Sequence, residues 1–488
     1  MERSPLGFAP RVPRDHQVRT KTVATVGPAC EASEMLEQLA RSGVDVFRIN
    51  MAHGGRAFHE TMVGRIRAVG ERIGRPIAIL IDLAGPKIRL GELGEGPRLC
   101  AVGREFSFTA GERSSDATEL VTTFTSLIDD LAVGNLVVFA DGAVAMEVIA
   151  KAGGRVALRV VSGGEVRSRQ GINVPNAKLS VAAGAAEDEE NVTWACSREI
   201  DFVGLSFVRE SADVLALRDR LRAGGSNAMI IAKIEKRESL VALDEIVAAA
   251  DAVMVARGDL GVEIDIAETP AAQKRIIAAC RRHLKPVIVA TQMLDSMQSS
   301  IRPTRAEVTD VANAILDGAD ACMLSGETAI GKYPLETVGM MNRIMAAAEQ
   351  MLRDTAPEPP PVAALAGVHP ITAAVTYGAG RIASQLSASL VVVATRSGNT
   401  ARVKSKQRDF IPTVGVSDSE AVLRRMCLFW GIIPLRGAPI NHGPQLRAFI
   451  EAWGIAEGVL RSGDRTVFVT GTDLVPTAHN LVAVHETP

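Results

Sequence analysis

This chain of 488 residues lacks an excess of charge of either sign: Lys plus Arg total 54, Asp plus Glu 56, and the formal net charge is −2. A polyanion binder normally carries a basic excess, so no nucleic-acid partner is expected. Cysteine is sparse. Cys30, Cys100, Cys196, Cys280, Cys322 and Cys427 are scattered, with no CxxC and no His/Cys cluster. That spacing excludes a disulfide framework and a zinc site, and it points to reduced thiols. Long hydrophobic runs are missing too. The first 18 residues hold Glu2, Arg3, Arg11, Arg14 and Asp15, which argues against a secretory signal. The charge-free stretch 359–380 contains four prolines and His369, so it does not read as a membrane span. No G-x-G-x-x-G follows a strand and no Gly-x-Ser-x-Gly elbow occurs. What is present is a globular composition, 47% hydrophobic and 23% charged, which excludes a disordered chain. At about 150 residues per domain the length predicts roughly three domains. The expectation is a cytoplasmic, multidomain protein with no membrane partner.

From Thr22 onward, short apolar runs alternate with helix-period segments. Strands are predicted over 23–26, 45–49, 77–81, 201–205, 229–232, 252–255, 286–290 and 321–324. Helices are predicted over 31–41, 59–72, 213–222, 240–250, 271–283 and 305–316. Eight strand–helix units are the count of a (β/α)8 TIM barrel. The third strand breaks the rhythm. Residues 83–174 hold only short runs (105–109, 135–140, 144–149 and 155–161), two of them joined by the turn pair Asp141-Gly142. This predicts a small all-β domain inserted at the barrel's carboxyl-end face, placed to act as a lid. A stiff proline-rich linker follows the barrel. The predicted division is an N-terminal extension 1–18, a barrel 19–86 and 175–352, a lid 87–174, a linker 353–364 and a C-terminal α/β regulatory domain 365–488. In that last part, strands are predicted over 390–394, 413–416, 466–470 and 481–484, and helices over 373–386, 400–407, 420–430 and 445–454.

Nearly every barrel strand ends in polar or Gly-containing sequence, at the face where such barrels build active sites. Lys233 and Glu235 are two apart on a strand, so their side chains take the same side. Asp259 ends the next strand. Glu235 and Asp259 are thus candidates to share one hard divalent cation, Mg²⁺, with substrate oxygens and water filling its shell. The competing reading is a salt bridge from Lys233 to either acid. Arg48, Lys87, Arg89 and Lys233 add positive groups at the same face. Any one arginine reads equally well as a solvated face; the cluster suits phosphoryl transfer, which needs positioning and charge cancellation. Gly326-Glu327-Thr328-Ala329-Ile330-Gly331-Lys332 matches GxxxxGK, but Tyr333 stands where a P-loop needs Ser or Thr.

These stretches, in order, resemble the pyruvate kinase family: Thr22-Val23-Ala24-Thr25-Val26-Gly27-Pro28-Ala29, Phe47-Arg48-Ile49-Asn50-Met51-Ala52-His53-Gly54, Ile81-Asp82-Leu83-Ala84-Gly85-Pro86-Lys87-Ile88-Arg89, Lys233-Ile234-Glu235, Ala256-Arg257-Gly258-Asp259-Leu260-Gly261, Ala290-Thr291-Gln292-Met293 and Leu324-Ser325-Gly326-Glu327-Thr328. The resemblance implies phosphoryl transfer from phosphoenolpyruvate to ADP, giving pyruvate and ATP, in a homotetramer that uses Mg²⁺ or, in its place, Mn²⁺. It implies that Glu235 and Asp259 are metal ligands and that Lys233 balances the phosphoryl group in flight. Thr291, with Ser325 nearby, is tied to enolate protonation. Arg48 and Arg89 face phosphate, Gly258 lies against the substrate, and Asn50, His53 and Pro28 lie on the nucleotide side.

Two departures bear on the monovalent ion. Ala52 stands where the family's serine helps hold K⁺, and Lys87 stands where K⁺-dependent members carry Glu. An ammonium there replaces the ion's charge, so activity without K⁺ is expected. Thr395-Arg396-Ser397-Gly398-Asn399-Thr400 follows a strand and opens a helix, and it resembles the family's effector loop. Thr395, Ser397 and Thr400 are the candidate effector contacts. The family's later Gly-Thr-Thr-Asn-like loop is absent around 472–480, which favours a sugar monophosphate or AMP over a bisphosphate sugar. The plain alternative is a strand–helix turn with capping hydroxyls. Two other functions compete: a catalytically silent paralogue acting as a metabolite-sensing module, and a Mg²⁺-dependent barrel aldolase or lyase. The intact Lys233, Glu235, Asp259 and Thr291 set disfavours the first. The β insertion and the C-terminal domain disfavour the second.

Overall fold

The computed structural model describes residues 18–85, 88–94, 96–114, 116–139, 142–175, 186–355, 368–471 and 479–488. Residues 1–17 of the 1–18 extension, Lys87, Asp141 and most of the proline-rich linker lie outside them.

The chain opens with β1 (Lys21–Thr25), β2 (Val44–Asn50) and β3 (Ala78–Asp82). Eight strands then intervene: β4 (Arg98–Cys100), β5 (Glu105–Ala110), β6 (Glu119–Thr122), β7 (Leu136–Phe139), β8 (Val144–Ala152), β9 (Arg155–Ser162), β10 (Gly164–Val166) and β11 (Ile172–Asn173). After the helix Ala186–Cys196 come β12 (Phe202–Leu205), β13 (Met229–Ile234), β14 (Ala252–Ala256), β15 (Val287–Ala290) and β16 (Ala321–Leu324). The order β1-β16-β15-β14-β13-β12-β3-β2 closes on itself as the expected (β/α)8 barrel.

Parallel strands covered on both faces need continuous apolar runs, and every residue of β3 and β14 is buried. The helices start and stop on local signals. Arg305–Asp317, for example, begins at a capping box in which Thr304 and Glu307 bond reciprocally, and it ends at Gly318, whose φ of 104° suits a residue without Cβ. The predicted helix 240–250 is two pieces, Arg237–Val241 and Leu243–Ala249.

Among its described residues the insertion is β apart from the short helix Ser126–Asp130. It forms a six-stranded sheet, β11-β7-β8-β9-β5-β6, with the small pair β10-β4. Phe106, Phe108, Phe139, Met146 and Leu158 fill its own core. The C-terminal domain has β17 (Leu390–Ala394), β18 (Thr413–Val416), β19 (Ile432–Leu435), β20 (Arg465–Gly471) and β21 (His479–Glu486) in the order β19-β18-β17-β20-β21. β19 lies outside the predicted set, and the predicted helix 420–430 stops earlier, at Met426.

The two domains share a core. Val23, Phe202, Ile231 and Met254, inside the barrel, belong to one apolar cluster with Met426, Leu428 and Phe429. The C-terminal domain therefore plugs the barrel's amino end and leaves the carboxyl end to the lid. All six cysteines are free. Among the described residues, no helix is long and apolar enough to cross a membrane.

Candidate active site

Ile231 packs inside the barrel, so Lys233 and Glu235, on the same pleat, turn inward at its carboxyl end. Lys233 Nζ donates to Ser206 Oγ at 2.7 Å and sits 2.8 Å from Glu235 Oε1 and 3.4 Å from Asp82 Oδ1. Burial pulls the Lys233 ammonium down, but the Asp82 and Glu235 carboxylates outweigh it and hold Lys233 above its ordinary value. Asp82 is buried as well. Burial pushes it up, and Lys233 and Arg48 together bring it below the usual carboxylate range. Arg48 reaches Asp82 Oδ2 through Nε at 2.7 Å and Nη2 at 2.6 Å, and its Nη1 donates to Thr25 Oγ1 at 3.1 Å.

Glu235 Oε2 accepts the Phe207 N–H at 2.8 Å. Its Oε1 lies 2.8 Å from Lys233 Nζ as an ion pair and has no other partner. Burial, and then the nearby Asp259, push the Glu235 carboxyl up, while Lys233 opposes them. Two neighbouring carboxylates, one of which has an oxygen with only an ion pair for partner, fit a hard cation that would complete its shell with substrate oxygens and water. Among the described residues, no group of three or more His, Cys, Asp or Glu could hold a metal ion, so no larger protein cage competes.

The turn after β15 is unusual. Thr291 and Gln292 are consecutive non-glycine residues with φ of 70° and 52°. The Thr291 hydroxyl accepts the Gly258 N–H at 2.8 Å and donates to the Ala290 carbonyl at 2.6 Å. Gly258 and Asp259 open the helix Arg257–Glu263, so the threonine and a candidate metal ligand are joined across two strand ends. The Ser325 N–H donates to Glu327 Oε2 at 2.6 Å. Asn50 ends β2, and its Oδ1 accepts the Ala52 N–H at 3.2 Å. The His53 carbonyl bonds His59 Nε2 at 2.8 Å, and Pro28 is exposed.

Arg89 follows β3 and bonds to the inserted domain. Its guanidinium donates to the Arg169 carbonyl at 3.1 Å within the inserted domain. Lys87 lies outside the described residues. Sequence reading gave no role to Asp82, Ser206, Phe207 or Arg257. Their signal was position alone, since each stands at the end of a barrel strand or just beyond it.

The candidate effector loop divides. Thr395 and Thr400 are buried, and Thr395 Oγ1 accepts the Gly398 N–H at 3.0 Å. Ser397 instead lines a cavity of about 420 Å³ between the C-terminal domain and the barrel, with Arg218, Arg222, Arg402, Arg425 and Asp251. Arg402 is buried, and its Nε has no partner.

A closed barrel whose carboxyl-end face gathers cations around a pair of inward carboxylates, under an inserted lid, is the architecture of a (β/α)8 enzyme acting on anionic substrates. Residues 17–338 match the family described as "Pyruvate kinase, barrel domain" and residues 373–485 that described as "Pyruvate kinase, alpha/beta domain". The pyruvate kinase of Geobacillus stearothermophilus is 38% identical over 96% of this chain and 80% of its own. That of Mycobacterium intracellulare is 39% identical over 96% and 98%. The crystal structure of a pyruvate kinase from Cryptosporidium parvum superposes with a TM-score of 0.88 at 31% identity, covering 97% of each chain. The chain belongs to the pyruvate kinase family and is a phosphotransferase. Its members act on phosphoenolpyruvate, ADP or ATP and pyruvate, and they generally use Mg²⁺.

Proposed function

We propose that this chain catalyses phosphoryl transfer from phosphoenolpyruvate to ADP in the cytoplasm, at the face where Lys233, Glu235 and Asp259 converge, and that it needs no K⁺. The observation that carries the reading is Lys233, kept charged between Asp82 and Glu235. Glu235 and Asp259 would hold Mg²⁺, which would supply positive charge to offset that of the substrate's oxygens. Lys233 neutralises the phosphoryl group as it moves, and Arg48 orients phosphate. Arg89 joins them when the lid closes. Asn50, His53 and Pro28 receive the nucleotide. Gly258 lies against the substrate carboxylate beside Thr291, with Ser325 flanking it. The enolate left behind takes a proton at its methylene carbon. The Thr291 hydroxyl relays that proton from a water molecule, taking a proton from water as it passes its own on, so that no threonine alkoxide stands alone and the proton consumed is drawn from solvent.

The loss of the serine hydroxyl at Ala52, together with the ammonium of Lys87, supports K⁺ independence. The cavity supports a second anion site for a sugar monophosphate or AMP, held by Ser397 and the arginines rather than by the buried Thr395 and Thr400. The exposed Leu481 and Val484 on the edge strand β21 support assembly into a homotetramer.

The test is ADP-dependent pyruvate formation with Mg²⁺, with and without K⁺, in wild type and Lys233→Ala. Equal wild-type rates in both salts, and a loss on the order of 10²–10³-fold in Lys233→Ala, are expected. Wild type that is inert until K⁺ is added removes the ion-replacement reading. No ADP-dependent pyruvate in either salt removes the catalytic reading and leaves the silent sensing module.

A further inference from the structure

We infer that Arg257 is a positioning residue that makes the Thr291 proton available, and that its loss slows enolate protonation more than phosphoryl transfer. The inference rests on the reading of Thr291 in proton transfer. The one proton of the Thr291 hydroxyl is spent as it stands. The hydroxyl oxygen accepts from the Gly258 N–H, and the proton points at the Ala290 carbonyl. To serve a substrate, that proton must leave Ala290, and a deeply buried carbonyl would then lose its partner. Arg257 answers this. Its Nε donates to the same Ala290 oxygen at 3.3 Å, and its Nη2 donates to the Thr291 carbonyl at 2.7 Å. When the hydroxyl swings towards substrate, Ala290 keeps one donor and the turn keeps its shape.

The second observation is the backbone. Two successive non-glycine residues in the left-handed region persist only where their surroundings fix them. The Arg257 fork spans this turn and is anchored in turn by Asp310, at 2.6 Å from Nη1 on the helix Arg305–Asp317. The Arg257 side chain is 11% exposed, so the fork is held by packing as well as by charge. Arg257 is also the first residue of the helix bearing Asp259. One guanidinium thus ties the turn that carries the proton donor to the turn that carries a metal ligand. A lysine keeps the charge but cannot make the planar two-carbonyl bridge.

The test uses the full chain and the variants Arg257→Lys, Arg257→Gln, Asp310→Asn and Thr291→Ala. Two rates are read: exchange of pyruvate methyl hydrogens with ²H₂O in the presence of Mg²⁺ and ATP, and single-turnover ATP formation from phosphoenolpyruvate and ADP. Exchange is expected to fall at least tenfold further than ATP formation in both Arg257 variants, with Lys no better than Gln and KM for phosphoenolpyruvate within about threefold. Asp310→Asn, which leaves the guanidinium in place, is expected to give a smaller shift in the same direction. Both rates falling together, or rescue by lysine, overturns the inference and leaves a structural role. Exchange unchanged in Thr291→Ala overturns the proton-transfer reading itself, whatever the Arg257 variants do.

Discussion

Lys233 and Lys285 are partly or fully buried amines with opposite fates. At Lys233 two carboxylates overcome the burial. At Lys285 burial acts first and Arg402 and Arg218 push the same way, outweighing Asp251 and Cys280, so its amine is brought down to about 8. The signs differ accordingly. Lys233 contributes stability that is present below its unfolded value and lost as pH rises through its folded one. Lys285 binds fewer protons folded than unfolded between about 8 and the ordinary 10.5, so its burden is relieved as pH rises across that window. Competitive acylation followed by peptide mass mapping should give Lys285 a half-reaction point near pH 8, moving upward when AMP or a sugar monophosphate occupies the cavity beside Arg402. A half-point that AMP and sugar phosphates leave unmoved would remove the effector reading. The Lys233–Glu235 pair was legible in sequence because two positions on one strand share a side. Asp82 as the shared counter-ion was not, since its meaning depends on which strand lies beside which. The left-handed geometry of Thr291 and Gln292 was also hidden, because nothing in a Thr-Gln pair asks for it.

The joint between β3 and the lid is built from small tolerances. Gly85 has φ of 68°, and a Cβ there would meet the Phe207 ring at 2.5 Å and Ser206 Cβ at 3.0 Å. Its N–H donates to Asp188 Oδ2 at 2.9 Å, and Ala84 N–H to Oδ1 at 3.2 Å, so the helix after the lid holds the strand before it. Phe207 in turn donates its N–H to Glu235. Gly85→Ala should therefore destabilise the fold by roughly 1–3 kcal/mol and weaken Mg²⁺ activation as well. Denaturant melts and Mg²⁺ titration of the rate check the two effects separately. Elements with a strong apolar pattern were legible to within a few residues, as in β16 and β17. β19 escaped because Pro434 lies inside it, tolerable only at a sheet edge, where it in fact sits. β4 and β10, three residues each, carry too little pattern to be seen.

The barrel and the C-terminal domain meet through buried charge as well as apolar packing. Asp320, fully buried just before β16, pairs with Lys406 and, at 3.0 Å, with Arg408 from the C-terminal domain. Arg424 reaches Asp201 at 2.7 Å. Removing one partner of a buried pair leaves an uncompensated charge, so Asp320→Asn should cost about 3–5 kcal/mol. In calorimetry the main unfolding transition should move down, and the C-terminal domain should become the first part cut by protease. None of these contacts was legible in sequence, since each joins residues whose proximity only the assembled molecule creates.

The closed ring also sets an order on synthesis. β1 leaves the ribosome well before its partner β16, with which it pairs through Lys21–Ala321 and Ala24–Leu324, while the plug at the barrel's amino end comes later still, from Met426, Leu428 and Phe429. A nascent chain shorter than this carries an unpaired strand edge and an open apolar floor. The edge of β1 thus waits for β16 and the barrel floor waits for the C-terminal domain, so the growing chain depends on shelter until that domain has emerged.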